Sequence, residues 1–453
     1  MDKILYEPKS CYEVYKNDLH KIDEFAKQYI DFLNNCKTER ETVKWIESKC
    51  KEINISTDIN EDIFYRSFKD KCILIAKRGK KDLSKGIKII GAHLDSPRLD
   101  LKQHPIFENE YLAMVKTHYY GGIRKHQWFS TPLAIHGVVV KKNGEKVNIK
   151  IGEDPEDPVF AIPDLLPHLA YKQNEKKLSE AFEAEKMNAI IGSVPYIENS
   201  ENKIEEKIKY NVFTLLYEKY GITEDDLYSS ELQFVPAHQA RFVGIDKSLV
   251  GGYGQDDRIC VFCAFKAFLE VEDPYYTQFV VFWDKEEIGS EGASSAKSRF
   301  VEYVIQEIID KWGGRCSLGE VFFNTKAISA DVHGALDPDY QDLHDKLNAS
   351  KLGYGPVFCK FTGHRGKVGA NDASAEYIAF LRDRLDRKNI PWQMAELGKV
   401  DEGGGGTIAK FLAKYGMDII DFGPGILAMH SPFEISSKYD LYATYLAYKA
   451  FLE

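Results

Sequence analysis

Five short segments of this sequence carry acids or histidines beside an apolar run. His93-x-Asp95 follows a hydrophobic stretch that ends at Ile90. Asp256 and Asp257 open a helical pattern that continues from Arg258. Glu286 and Glu287 follow the apolar run ending at Trp283. Asp331 follows Ile328-Ser-Ala, and His430 follows the turn Gly423-Pro-Gly-Ile-Leu-Ala-Met. These residue types could serve a pair of divalent cations. Two such ions ~3.5–4 Å apart need a carboxylate that bridges them. They also need terminal histidine and carboxylate ligands, a donor set that suits zinc. One carboxylate must stay off the metals as base for the bound water. Adjacent glutamates supply a ligand and a base from one turn. His93-x-Asp95 supplies a ligand and an acceptor that sets its tautomer. Singly, each segment has a plainer reading: a surface His-x-Asp, a solvated Glu-Glu turn, an Asp-Asp helix cap. The argument for chemistry is the set.

The elements around these residues alternate. Ile22, Phe25, Ala26, Tyr29 and Leu33 recur at helical spacing, and Thr38-Glu-Arg-Glu41 reads as a capping box before a second helix. Strands are expected over 72–76, 87–90, 278–283, 326–330, 356–361, 392–396 and 418–422. Helices are expected over 258–271, 293–312, 373–387, 406–415 and 436–452. That rhythm means an α/β layer fold. Four of the five segments then fall at carboxyl ends of strands, where open α/β sheets bind ligands. Between about 100 and 240 the rhythm gives way to short alternating strands (133–140, 147–151) and irregular loops. The simplest division is a catalytic domain in two parts, 1–99 and 241–453, split by an inserted domain at 100–240.

Composition narrows the alternatives. At 453 residues the chain exceeds the size at which one core stops growing. A net charge of −10, from 60 basic and 70 acidic residues, speaks against nucleic acid as a partner. The longest apolar runs are far below the ~18 residues of a membrane helix, so no membrane association is expected. The first residues show no secretion signal. Eight scattered cysteines suit a reducing cytoplasm. Cys260-x-x-Cys263 sits in an apolar run and reads as two buried helix cysteines. Gly403–Gly406 followed by Thr407 lacks the Gly-Lys-Ser/Thr of a phosphate loop.

The segments Gly91-Ala-His-Leu-Asp-Ser-Pro-Arg98, Gly254-Gln-Asp-Asp-Arg258, Asp284-Lys-Glu-Glu-Ile-Gly-Ser290, Ser329-Ala-Asp-Val-His333 and Ala428-Met-His-Ser431 closely resemble those of the aspartyl aminopeptidase / aminopeptidase I family of zinc metallopeptidases. The resemblance implies a mixed, mostly parallel sheet flanked by helices, as in zinc exopeptidases, with a β-rich dimerisation domain inserted. It implies that His93, Asp256 and Asp331 hold one zinc, and Asp256, Glu287 and His430 the other. Asp256 is chosen over Asp257 as the bridge because some family members carry Asn at the second position. Glu286 would be the general base and Asp95 the partner of His93. Ile162-Pro-Asp-Leu-Leu-Pro-His-Leu-Ala170 resembles the family stretch whose histidine enters the partner subunit's active site, which makes His168 a candidate in trans.

The activity implied is removal of single residues from peptides with a free N-terminus, by a metal-activated water. Two zinc ions per subunit are expected, with cobalt or manganese as substitutes. The assembly implied is a homo-oligomer, a dodecamer built of dimers. Two rivals stand beside it: another metal-dependent amidohydrolase on the same scaffold, a carboxypeptidase or deacylase, and a non-catalytic scaffold protein. His333 reads as a neighbour of the site or a surface residue rather than a ligand. Lys360 lies where acid-preferring members place a lysine, and substrate preference stays open.

Overall fold

The computed structural model describes residues 4–197 and 204–453. They form two compact units. Of the described residues, one comprises those up to 96 with 240–429 and 433–453; the other comprises those between 97 and 239 with 430–432.

The first unit is built on an eight-stranded sheet. Its strand order is Ile63–Phe68, Cys72–Lys77, Gln278–Trp283, Lys88–His93, Lys326–Ser329, Asp418–Gly423, Val357–Cys359 and Gln393–Met394. The strands from Gln278–Trp283 to Asp418–Gly423 are parallel to one another, and the edges are mixed. Side chains alternate faces along a strand, and both faces here are covered. Ile90, Ala92, Val280, Phe282, Ile328 and Ile420 pack with the helices Leu19–Asn35, Gln255–Glu270 and Lys438–Leu452. Ile89, Val281, Trp283, Ala327 and Ile419 pack with Phe300–Trp312. Double burial explains why these strands read as continuous apolar runs. The Thr38–Glu41 capping box is present in full at the start of Glu39–Glu52. Cys260 and Cys263 are buried on Gln255–Glu270.

The second unit is a six-stranded antiparallel sheet, ordered Lys146–Ile151, Leu133–Val140, Ser230–Pro236, Arg98–Asn109, Leu112–Tyr120 and Asn188–Gly192. The long hairpin Arg98–Asn109/Leu112–Tyr120 replaces the loops expected there. The helix Lys207–Tyr220, not anticipated, is closed by Gly221 in the left-handed conformation. Among the described residues no helix is long and apolar enough to cross a membrane.

Two local expectations fail. The helix expected from 293 begins only at Phe300. Ser294 and Ser295 are buried and spend their hydroxyls on Asp284 Oδ2 and on the main-chain oxygen of Gly292, both at 2.9 Å, bonds that compete with a helix. The turn expected over 423–429 contains the strand Gly425–Leu427, paired with Glu434–Ser437 and His333–Gly334 in a smaller five-stranded sheet.

The last helix is anchored by Asp440. Its carboxylate accepts the N–H groups of Gly353 and Gly355, each at 2.7 Å. Burial pushes the Asp440 carboxyl up to about 7, against the pull of those N–H groups and the Cys11 thiol. The native state therefore keeps this proton to higher pH than the unfolded chain, and stability falls as pH rises from about 4 to about 7. Asp440→Asn should flatten that slope in urea unfolding of metal-free protein. Near pH 4, where the native carboxyl is protonated, Asp440→Ala should cost about 2–5 kcal/mol, because two buried N–H groups lose their acceptor.

Candidate metal centre

Three parallel strands aim the candidate residues at one edge of the sheet. His93 is level with Trp283, and Gly91 with Ser329. The chain leaving these strands delivers Asp95, Glu286 with Glu287, and Asp331 just beyond their carboxyl ends. Asp331 comes close because position 423 is glycine: a Cβ there would lie 2.1 Å from the Asp331 carbonyl oxygen. Asp256 and Asp257 stand in the first turn of Gln255–Glu270 but off helical geometry, with φ/ψ of −79°/107° and −115°/26°. The peptide bond between them is cis. Glu286 and Glu287 occupy the short 3-10 turn Glu286–Ile288, entered through Lys285 at φ +71°. His430, at φ +66°, lies between the strands Gly425–Leu427 and Glu434–Ser437.

Two groups of possible ligand atoms result. Atoms of His93, Asp256 and Asp331 all lie within 4.8 Å of one another, and so do atoms of Asp256, Glu287 and His430. Asp256 is common to both. His93 Nε2 is 3.1 Å from Asp256 Oδ1 and 4.0 Å from Asp331 Oδ1. His93 Nδ1 is 2.9 Å from the main-chain oxygen of Asp95. A carbonyl oxygen only accepts, so Nδ1 carries a proton and Nε2 is turned to the carboxylates. His430 repeats the device: its Nδ1 is 2.9 Å from the carbonyl oxygen of Gly122, which leaves Nε2 as the candidate ligand atom.

The charge balance calls for a cation. Asp257 and Asp331 are pushed well above the usual carboxylate range. Burial is the main cause for both, and Asp256 adds to it. Asp257 and Glu286 raise Asp331 further, while His93 pulls both down. Burial lowers the His93 pKa, but its bonds to Asp256 and Asp95 and the charges of Asp256 and Asp257 outweigh that and hold it well above its ordinary value. A divalent ion would neutralise this excess of buried negative charge, and carboxylate oxygens with imidazole nitrogens fit zinc. Protons and zinc then compete for the same atoms. Zinc affinity should rise with pH, and titration of the metal-free protein should release at least about one proton per ion. Calorimetry in buffers of different ionisation enthalpy measures that number; zero release would contradict the charge balance.

Asp95 meets His93, as expected, and has a second set of partners as well. Its Oδ1 accepts the N–H of Glu286 and its Oδ2 that of Glu287, each at 3.1 Å. Its carboxylate is 3.5 Å from His93 Nδ1, farther than its own main-chain oxygen. The carbonyl of Asp95 therefore sets the His93 tautomer, while its carboxylate ties down the turn bearing Glu286 and Glu287. Asp257 accepts the His93 main-chain N–H at 3.3 Å. His333 is buried with Nδ1 on Gly334 and Ser350, and belongs to neither group. His168 also lies outside both groups. It is exposed on the 3-10 turn Pro167–Leu169, beside exposed Leu165, Leu166 and Leu169. Sequence reasoning missed Glu434, which is buried and accepts the Asp256 N–H at 3.2 Å. It also gave no part to Ser96 or Arg258, although both adjoin residues that it singled out. Nothing in the spacing marks Glu434.

The model of the aminopeptidase I zinc metalloproteases (M18) matches residues 32–452. The chain belongs to this family. An M18 relative of Thermotoga maritima, named "Probable M18 family aminopeptidase 1", is 48% identical over 444 residues, covering 96% of each chain. One of Clostridium acetobutylicum, with the same name, is 46% identical over 462 residues and 99% of each. The crystal structure of the Thermotoga maritima M18 aminopeptidase superposes with a TM-score of 0.94 at 46% identity, over 99% of this chain and 100% of that one. The yeast mApe1 dodecamer, at 20% identity and a TM-score of 0.76 over 94% and 95% of the two chains, shares the fold. As an M18 protein, the chain is a zinc-family aminopeptidase, a hydrolase of peptide bonds.

Proposed function

We propose that this M18 aminopeptidase works with two zinc ions per subunit, shared through Asp256, and removes single residues from peptides with a free N-terminus. The observation that carries the reading is the presence of Asp256 in both groups of ligand atoms. His93 and Asp331 complete one set, Glu287 and His430 the other. When bound, zinc supplies the charge that polarises the scissile carbonyl and makes an attacking water more acidic. Glu286 takes the proton from that water and returns it to the departing amine. Asp95 keeps Glu286 in place by holding its main-chain N–H. Cobalt or manganese would substitute, since the same oxygen and nitrogen donors serve them.

Metal analysis should find two ions per chain. Aminoacyl reporters should be cleaved while their N-acetyl counterparts are not. One ion per chain, or cleavage of the blocked substrate, would overturn the reading.

The second unit is read as a dimerisation domain inserted at 100–240, which makes the flanking 1–99 and 241–453 one catalytic domain. His168 would then enter the partner subunit's site, its exposed position among exposed leucines favouring an interface. A dodecamer built of dimers is the assembly proposed, after the mApe1 architecture. Cytoplasmic location is favoured by eight cysteines that are all free thiols. His168→Ala and Glu286→Gln should each be nearly inactive, yet mixed oligomers of the two should regain activity. With random pairing in a two-fold dimer, about a quarter of sites hold an intact Glu286 and an intact His168. No recovery in confirmed mixed oligomers would remove His168 from the trans role.

A further inference from the structure

We propose that Arg258 and Ser96 are positioning residues of the metal centre, a buried relay that fixes the main chain of Asp256. Arg258 is 1% exposed. Its Nη1 donates to Ser96 Oγ at 3.1 Å and to the Gly254 carbonyl at 3.0 Å, and its Nη2 to the Lys37 carbonyl at 2.6 Å. Ser96 Oγ in turn donates to the main-chain oxygen of Asp256 at 2.7 Å. The direction is unambiguous, because a guanidinium has no acceptor and a carbonyl no proton. The serine hydroxyl must accept from Arg258 and donate to Asp256. Space for the guanidinium is reserved in the backbone: Gly254 sits at φ +72°, and a Cβ there would fall 1.5 Å from Arg258 Nη1.

The relay acts on a residue that needs it. Asp256 lies off helical geometry, at φ/ψ of −79°/107°. Its N–H goes to Glu434 and its C=O to Ser96, and these two contacts brace its main chain. A carboxylate that serves two groups of ligand atoms tolerates little rotation of its backbone. Lysine could not stand in for Arg258, since one ammonium does not reproduce a planar fork that reaches three oxygens.

This inference rests on the reading of Asp256 as the shared ligand. The test is zinc affinity measured by chelator competition, together with the Tm of the metal-free protein. Ser96→Ala should weaken the weaker zinc site by about 10–100-fold, the usual cost of losing an outer partner. The metal-free Tm should stay within a few degrees of wild type, and Ser96→Thr, which keeps the hydroxyl, should recover the affinity. Arg258→Lys should weaken zinc binding at least as much; if it does not fold, the Ser96 pair decides. Wild-type affinity in Ser96→Ala would overturn the relay. So would an affinity loss that follows a fall in metal-free Tm and persists in Ser96→Thr. If Asp256→Asn itself keeps both ions, it is the shared-ligand reading that fails.

Discussion

Glu286→Gln is expected to lower kcat by roughly 10²–10⁴, the usual worth of a positioned general base, with the zinc content of the purified protein unchanged. The amide keeps the size and position of the side chain but cannot take a proton. Neither group of ligand atoms includes Glu286, so its loss should leave the metals in place. The neighbour gives the opposite result. Glu287 belongs to the group of Asp256 and His430, and Glu287→Gln should lose one ion preferentially. The two mutants share a turn held by Asp95, so a purely conformational effect would be the same in both. Loss of metal from Glu286→Gln alone would reverse the two roles.

Asp256→Asn is expected to have the broadest effect of any single change at the centre, because Asp256 alone belongs to both groups of possible ligand atoms. Zinc affinity should fall by more than the ~10–100-fold that an outer partner costs, and activity should fall with it. Asp257→Asn is the control. Asp257 is equally buried but accepts the His93 N–H, a bond that the amide oxygen of asparagine can still accept. Its metal content should stay close to wild type. Greater loss from Asp257→Asn would move the shared ligand one residue along. Metal analysis of both proteins after dialysis against a weak chelator separates the outcomes.

Much of this protein could be read from local pattern. The parallel strands are recognisable because burial on both faces favours apolar residues, so runs such as 279–283 stand out. The capping box at Thr38 is recognisable because both its partners lie within four residues. The candidate ligands stand out because they follow apolar runs, and a strand's end is where its next residues reach solvent or a site. What escaped was set by partners distant in the chain. The hairpin Arg98–Asn109/Leu112–Tyr120 is paired on both sides by strands more than sixty residues away. The loop at 293–299 is held by Asp284, and the strand Gly425–Leu427 by His333–Gly334 and Glu434–Ser437. Asp95 meets Glu286 across 191 positions, and Ser96 meets Asp256 across 160. Residue type shows that a carboxylate can accept and a hydroxyl can relay. Only packing of the strands decides which main-chain groups come within hydrogen-bond reach of them, because that distance depends on every layer of the core between.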